Sequence, residues 1–541
     1  AQDFVNNIQC KINAQEGNTL PVSAFTEYVD GTTPSGTAAY EKRGIAVNVP
    51  VWQPENCIQC NRCAYVCPHA AIRPVALTEE EAANAPEGIA TLPMTGMKDY
   101  KFTMTVSAYD CTGCGSCANV CPGKKGAKAL AMENMEANAG LQKFFDYGRE
   151  LPIKEDVIAK FKETTVKGSQ FKQPLLEFSG ACAGCGETPY AKLITQLFGD
   201  RMYIANATGC SSIWGNSSPS TPYTTNAKGQ GPAWANSLFE DNAEFGYGML
   251  LAQRAIRDGL KAKVEAVVAE GKDEAVKEAG QEWLDTFSVG ATNGAATDKL
   301  IAALEACGCD AAKEILTQKD YLSKKSQWIF GGDGWAYDIG FGGVDHVLAS
   351  GRDINVMVFD TEVYSNTGGQ SSKSTPTGAI AQFAAGGKET KKKDMASIAM
   401  SYGYVYVAQI SMGADFNQTV KAIAEAEAYP GPSLIIAYAP CINHGIKKGM
   451  AKAQTEEELA VKCGYWHNFR FNPAADKKFA LDSKTPDMEN YMDFLNGEVR
   501  YNSLQRQNPE KAARLFAKNE SEAKARYAYL NKLVAMYGEE E

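Results

Sequence analysis

The sequence predicts an α/β protein, a doubly wound parallel sheet domain preceded by a small cysteine-rich α+β domain. Two observations carry this. Cys57, Cys60, Cys63 and Cys67, followed by Pro68, form a C-x2-C-x2-C-x3-C-P run, and Cys111, Cys114, Cys117, Cys121 and Pro122 repeat it. Beyond residue 178, five apolar runs (201–205, 326–330, 354–359, 405–408 and 433–437) alternate with helical stretches such as 415–428. That is the rhythm of buried parallel strands joined by crossover helices. The 541 residues, 44% hydrophobic and 22% charged, suffice for several cores. A net charge of −10 argues against nucleic acid or an anionic membrane surface as partner. No apolar run approaches the ~18–20 residues of a membrane span. No secretory signal is visible, and the cysteine usage points to a reducing, cytoplasmic setting.

Taken in order, residues 1–40 contain Pro21, Gly31, Pro34 and Gly36 and little periodicity, and are expected to form a linker or strap. The chain opens Ala1-Gln-Asp-Phe without Met, so the expectation is the C-terminal part of something longer. Residues 41–150 hold both cysteine runs and a short strand at 101–106. The double spacing is that of a two-cluster ferredoxin, in which each run gives three thiolates to one [4Fe–4S] cluster and its fourth Cys to the other. This assigns Cys57, Cys60, Cys63 and Cys121 to one cluster, and Cys111, Cys114, Cys117 and Cys67 to the second. Zinc sites use paired C-x2-C units and disulfide scaffolds are short secreted chains, so both fit poorly. A connecting segment spans 151–177, and the α/β domain spans 178–485 with an Ala-, Lys- and Glu-rich helical insertion at about 249–325. Residues 486–541 form a polar tail with helical pattern between 510 and 537.

Gly331-Gly-Asp-Gly-Trp-Ala-Tyr-Asp338 follows one expected strand, and Asp360-Thr-Glu-Val-Tyr-Ser-Asn-Thr-Gly-Gly369 follows the next. Glycine lets backbone approach a diphosphate, and a carboxylate at Asp333 can hold Mg²⁺ whose other oxygens come from the second loop and from phosphate. Both segments fall at the carboxyl ends of parallel strands, where ligands bind. Together they read as a thiamine diphosphate signature. Upstream, Cys182 and Cys185 form another C-x2-C, and Cys210 sits in Thr208-Gly-Cys-Ser-Ser212. Alone, the pair could be a redox dithiol or half a zinc site. In glycine-rich loops beside a thiamine signature, the three favour a third cluster, with Cys441 the best-placed fourth thiolate. Cys10, Cys307, Cys309 and Cys463 are read as structural. His444 is read as packed or surface. The basic run Lys388-Glu-Thr-Lys-Lys-Lys-Asp394 is read as a solvated loop, with a docking patch for an acidic ferredoxin or coenzyme A as the sharper alternative.

The stretches C-A-G-C-G-E, A-T-G-C-S-S, G-D-G-W-A-Y-D-I-G, T-E-V-Y-S-N-T-G-G-Q and A-P-C-I-N-H, in that order, resemble pyruvate:ferredoxin (flavodoxin) oxidoreductases. The resemblance covers essentially the whole chain and is to the C-terminal half of that family. It implies oxidative decarboxylation of pyruvate with coenzyme A to acetyl-CoA and CO₂, reversibly, with electrons leaving through three [4Fe–4S] clusters to ferredoxin or flavodoxin. It makes Cys182, Cys185, Cys210 and Cys441 the cluster nearest the thiamine. Asp333 would bind Mg²⁺ through its side chain, with the backbone carbonyls of Thr361 and Val363. Gly332, Gly334 and Trp335 would cradle the diphosphate. Glu187, Cys210, Glu362, Tyr364, Ser365 and Asn366 would line the cofactor, with Asn366 the catalytic residue near the reacting carbon. The Glu that activates the thiamine would come from the N-terminal region of the same enzyme, absent from this chain. This polypeptide alone is therefore expected to bind clusters but turn over little pyruvate, and a homodimer of the full enzyme is expected. The alternatives are another 2-oxo acid as substrate, or a non-catalytic electron-transfer protein. Spacing does not say which of the two ferredoxin-type clusters is outermost.

Overall fold

The computed structural model describes residues 1–217 and 220–538. Five strands, β1 (Asn48–Trp52), β2 (Ile72–Leu77), β3 (Leu92–Pro93), β4 (Lys101–Val106) and β5 (Leu130–Asn134), belong to the cysteine module. β1 and β5 pair antiparallel, and β4 lies between β2 and β3 in a second antiparallel sheet. The two cysteine runs are conformational copies. The second residue after the first Cys, and the residue after the second Cys, are left-handed in both: Gln59 and Asn61 (φ 57° and 60°), Gly113 and Gly115 (φ 69° and 80°). The turns aim backbone N–H groups at sulfur, Gln59 N at Cys57 Sγ (3.4 Å) and Gly113 N at Cys111 Sγ (3.3 Å). Gly113 is also forced by space, since a Cβ there would lie 2.8 Å from Asn48 O. A short helix follows in each copy, Arg62–Tyr65 and Ser116–Val120. The module's core is small (Ile72, Phe102, Met104, Val106, Leu130) and includes Cys67 and Cys117. Cores of this size depend on inorganic or covalent staples.

Eight further strands form one sheet: β6 (Met202–Ala207), β7 (Ala233–Ser237), β8 (Ser326–Gly332), β9 (Ile354–Asp360), β10 (Tyr406–Ile410), β11 (Pro432–Tyr438), β12 (Phe469–Phe471) and β13 (Phe479–Leu481). Their order is β13-β12-β10-β11-β9-β8-β6-β7. All pairings are parallel except those made by β12 and β13, which extend one edge antiparallel. Both faces are covered, which is why the central strands are apolar throughout. In β9, Ile354, Val356 and Val358 enter one core while Met357 and Phe359 enter the other. The five expected strands are present. β7, β12 and β13 carry no clear sequence signal, because an Ala-Trp-Ala-Asn-Ser segment and two three-residue edges show little apolar periodicity.

The insertion grows out of a crossover helix, Asn242–Glu270, which starts ahead of the expected boundary. Its first part gives Ala243 and Leu250 to the sheet's core. Its far part gives Leu260 and Val264 to a separate core with Trp283, Leu300 and Ile315. The C-terminal helices Tyr491–Gly497, Val499–Gln507 and Pro509–Gly538 are no appendage, since Tyr491, Leu504, Phe516 and Leu530 enter the same core as the sheet. Near the amino end, Gly36 N and Ala38 N donate to Tyr223 O (2.7 Å) and Thr221 O (3.1 Å). No described helix is long and apolar enough to cross a membrane.

A buried polar knot ties the helix Thr188–Phe198 to the carboxyl end of the sheet. The Tyr190 hydroxyl lies 2.9 Å from Tyr438 O and 3.2 Å from Glu457 Oε2, and Gly413 N donates to the same carboxyl oxygen at 2.6 Å. Burial pushes the Glu457 carboxyl up to about 8, from 4.5. Between those values the unfolded chain has lost a proton that the folded chain keeps, so stability falls as pH rises across that window and then levels off. Glu457→Gln removes this dependence. The expected result is a thermal midpoint less sensitive to pH between 5 and 8 than in the parent; an unchanged slope would contradict it.

Candidate functional site

The sheet's connections run from β6 outward to β7 and then back to β8 on the other side of β6, so strand order reverses between β6 and β8. In parallel sheets the crevice at such a switch, at the carboxyl ends of the strands, is where ligands bind. The loops leaving β6, β8, β9 and β11 carry Cys210, Asp333, Thr361 to Asn366, and Cys441 respectively.

Asp333 is fully buried. Its carboxylate accepts hydrogen bonds from Thr361 Oγ1 (3.0 Å) and Ser372 Oγ (2.6 Å). Burial, and next the charge of Asp360, hold its pKa well above the usual carboxylate range. Asp360, equally buried, accepts from Ser374 Oγ (2.6 Å) and Tyr337 OH (3.0 Å) and faces Lys392 Nζ at 2.8 Å. Two buried carboxylates served mainly by hydroxyls and one ammonium make a site that gains from a further cation. The donors around Asp333 are hard oxygens, which suits Mg²⁺. Of the expected carbonyls, Thr361 O accepts from His444 Nε2 (2.7 Å) and Val363 O accepts from Thr361 Oγ1 (3.0 Å), each keeping a second lone pair. A side chain at Gly334 would collide with the Tyr364 ring, so this turn brings bare backbone to the site. Gly332 closes β8, and Trp335 is buried with its indole N–H unpartnered.

The remaining expected residues separate by role. Glu187 is buried, takes the Trp214 indole N–H at 2.8 Å, and is pushed by burial to about 7. Ser365 Oγ lies 3.0 Å from Cys210 Sγ. Asn366 is exposed at the loop's tip. Glu362 departs from its expected place: its backbone is left-handed (φ 60°), and its carboxylate points away to Lys392 Nζ (2.9 Å) and Arg500 Nη2 (2.8 Å). The basic run is likewise corrected. Lys388 donates to Ser372 O and Thr375 O at 2.6 Å, Lys393 donates to Tyr337 O at 3.1 Å, and Lys392 serves two buried carboxylates, leaving Lys391 exposed. Inward anions and carbonyls claim these lysines, so the run is neither a solvated loop nor a free docking patch. Sequence reasoning also missed Ser372 and Ser374, although a Ser-Ser-Lys-Ser-Thr stretch directly after the loop was the available signal. His444 is fully buried, and burial, then Arg500, push it to about 3, so it is a neutral tether holding Thr361.

Loops carrying four cysteines converge beside this site. Cys182 and Cys185 lie on the loop before helix Thr188–Phe198, and Gly186 N donates to Pro440 O at 3.1 Å, next to Cys441. A Cβ at Gly186 would stand 2.5 Å from Pro440 N, so glycine is required for this approach. Burial raises the pKa of Cys210, and Glu187, Cys185 and Cys441 raise it further. Cys441 in turn senses Glu187, Cys182 and Asp333. In the module, one cavity is lined by Cys57, Cys60, Cys63 and Cys121, and another by Cys67, Cys111, Cys114 and Cys117. The segment leading into Cys182 touches the second of these: His69, in that cavity's wall, donates from Nδ1 to Ser179 O at 3.1 Å, and its carbonyl accepts from Phe178 N at 2.9 Å. Elsewhere, Cys463 packs in the sheet's core and Cys307 against the insertion's core, whereas Cys10 and Cys309 are exposed, so packing does not explain those two. A cleft of about 840 Å³ between module and sheet is lined by the cations Arg73, Arg149, Lys154, Lys172, Lys192 and Lys228. All but Lys192 are already paired with carboxylates.

Three family models match the chain: a domain of unknown function over residues 1–46, a 4Fe-4S dicluster domain over 56–125, and the thiamine pyrophosphate enzyme C-terminal TPP binding domain over 290–437. A pyruvate-flavodoxin oxidoreductase of Klebsiella pneumoniae is 56% identical over 537 residues, covering 98% of this chain and 45% of that protein. One of Enterobacter agglomerans is 57% identical, covering 98% and 46%. A pyruvate:ferredoxin oxidoreductase of Moorella thermoacetica is 56% identical, again covering 98% and 46%. The chain thus spans a little under half the length of the curated relatives it matches.

Proposed function

Along 98% of its length this chain is a relative of the pyruvate-flavodoxin and pyruvate:ferredoxin oxidoreductases, and from that premise we propose that it forms the thiamine-binding and electron-exporting part of such an enzyme. The reaction is the reversible oxidative decarboxylation of pyruvate with coenzyme A to acetyl-CoA and CO₂, with ferredoxin or flavodoxin taking the electrons. The observation that carries this reading is the meeting of the Asp333 loop with Cys182, Cys185, Cys210 and Cys441 at one end of one sheet. When bound, thiamine diphosphate supplies the carbanion chemistry and iron–sulfur clusters the one-electron chemistry.

The chain's own residues divide the remaining work. Asp333 would hold Mg²⁺ with the carbonyls of Thr361 and Val363, its carboxylate kept in place by the Thr361 and Ser372 hydroxyls. His444 tethers Thr361, and Gly332 and Gly334 leave the diphosphate its room beside Trp335. Glu187, kept near neutrality by burial, offers a proton-bearing carboxyl beside the cysteines. Asn366, at the exposed tip, is left to meet substrate. The contact of Ser179 with His69, which lines the cavity of Cys67, Cys111, Cys114 and Cys117, favours one order of clusters. The cluster of Cys67, Cys111, Cys114 and Cys117 is the inner ferredoxin-type centre, and that of Cys57, Cys60, Cys63 and Cys121 the outer. Iron, sulfide and thiamine measured on one sample test the reading, with about twelve irons per chain expected. Cys441→Ser should lose about four of them while the spectra of the other two centres persist. Unchanged iron would remove Cys441 from the ligand set.

A further inference from the structure

Lys192 lies on the helix Thr188–Phe198, which follows directly on the Cys182–Glu187 loop. Its side chain leaves the sheet domain and enters the cysteine module. The ammonium donates to Ala64 O and to Tyr65 O (3.0 Å), the carbonyls that end the short helix between Cys63 and Cys67. It is buried, with 1% of its surface exposed. Burial, helped by Arg73, pushes its pKa down to about 8; the negative groups that oppose this are Cys67 and Cys63, with no carboxylate among them. Cys63 lines one ferredoxin-type cavity and Cys67 the other.

A buried ammonium without a carboxylate is costly unless some other negative charge repays it. Four thiolates make each cube a net anion, and two such anions flanking Lys192 are that repayment. Resting on the cluster assignment above, we propose that Lys192 is a positioning residue of the electron path, a fixed positive charge that raises the reduction potential of both ferredoxin-type clusters. The argument is electrostatic reciprocity. Reduction adds an electron to a cube, a nearby cation stabilises the reduced form more than the oxidised one, and net charge around a cluster is among the determinants of its potential. Because Ala64 and Tyr65 lie between Cys63 of one cavity and Cys67 of the other, one side chain sets the two centres together.

The test is a redox titration of the cluster-loaded protein followed by electron paramagnetic resonance, comparing the parent with Lys192→Gln and Lys192→Arg. Glutamine keeps hydrogen-bonding capacity without charge, and arginine keeps charge with a different shape. We expect K192Q to move both ferredoxin-type centres to more negative potentials, and K192R to stay close to the parent. Parental iron content with parental potentials in K192Q would overturn the proposal, as would an equal shift in K192Q and K192R. If K192Q fails to hold iron, K192R decides: full loading at parental potentials supports a charge requirement, and loss of iron in K192R as well overturns it. An iron-free parent would instead refute the cluster assignment itself.

Discussion

Asp333→Asn should raise the thermal midpoint of the metal-free chain while abolishing its Mg²⁺-dependent retention of thiamine diphosphate. The two effects have opposite signs because one feature causes both. The Asp333 carboxylate is fully buried, faces Asp360, and receives only the Ser372 and Thr361 hydroxyls. Without a cation it must take up a proton to stay buried beside Asp360, and burial on those terms is destabilising at neutral pH. Asparagine keeps the volume without that protonation cost, and the hydroxyls can rotate to donate or accept. A gain of about 1–3 kcal/mol is expected in the absence of metal. Losing an anionic ligand should weaken cofactor retention at least ~100-fold, beyond what loss of an outer partner costs. Melting curves with and without Mg²⁺ and thiamine diphosphate read the first effect, and thiamine recovered after gel filtration reads the second. A lower midpoint, or a cofactor-induced shift as large as the parent's, would remove Asp333 from the metal site.

Lys392→Met should destabilise the chain by about 3–5 kcal/mol at neutral pH, the cost of stripping the cation from a buried ion pair. Lys392 sits between Asp360 (2.8 Å) and Glu362 (2.9 Å), and Arg500 Nη2 and Tyr465 OH complete the cage around Glu362 at 2.8 Å and 2.6 Å. Burial by itself works to raise the pKa of Glu362, but Lys392 and Arg500 more than reverse it, to about 2. The cage's contribution is therefore present above the ordinary glutamate value of 4.5 and is lost as pH falls toward 2. The cage also offsets the left-handed backbone of Glu362, a conformation that costs about 1–3 kcal/mol in a non-glycine residue. Denaturant titrations should show the K392M deficit unchanged between pH 7 and pH 4.5 and shrinking as pH falls from 4.5 toward 2. A deficit below about 1 kcal/mol at pH 7 would mean that water, not Lys392, compensates these carboxylates.

Much of this molecule was legible in the sequence, and the legible part is local. A parallel strand buried on both faces must be apolar at every position, so β6, β8, β9, β10 and β11 announce themselves. The paired cysteine runs encode their own turns, whether through Gln59 and Asn61 or through Gly113 and Gly115. Asp333 and the loop beyond Asp360 stand out because glycine and a carboxylate at strand ends have few other uses. The same locality explains the misses. β7, β12 and β13 are held by their neighbours rather than by their own composition, and the Lys388–Asp394 run looked solvated because its anions, Asp360 and Glu362, lie about thirty residues away in sequence. Spacing alone determined that there are two ferredoxin-type cysteine sets and a thiamine-type loop. Only the tertiary structure decided which set faces the sheet, that Lys192 stands between the two, and that Glu362 turns away from the site. Those outcomes depend on how module, sheet and C-terminal helices dock, through contacts such as His69 with Ser179 and Lys192 with Ala64, and no local pattern specifies a contact between residues so far apart in the chain.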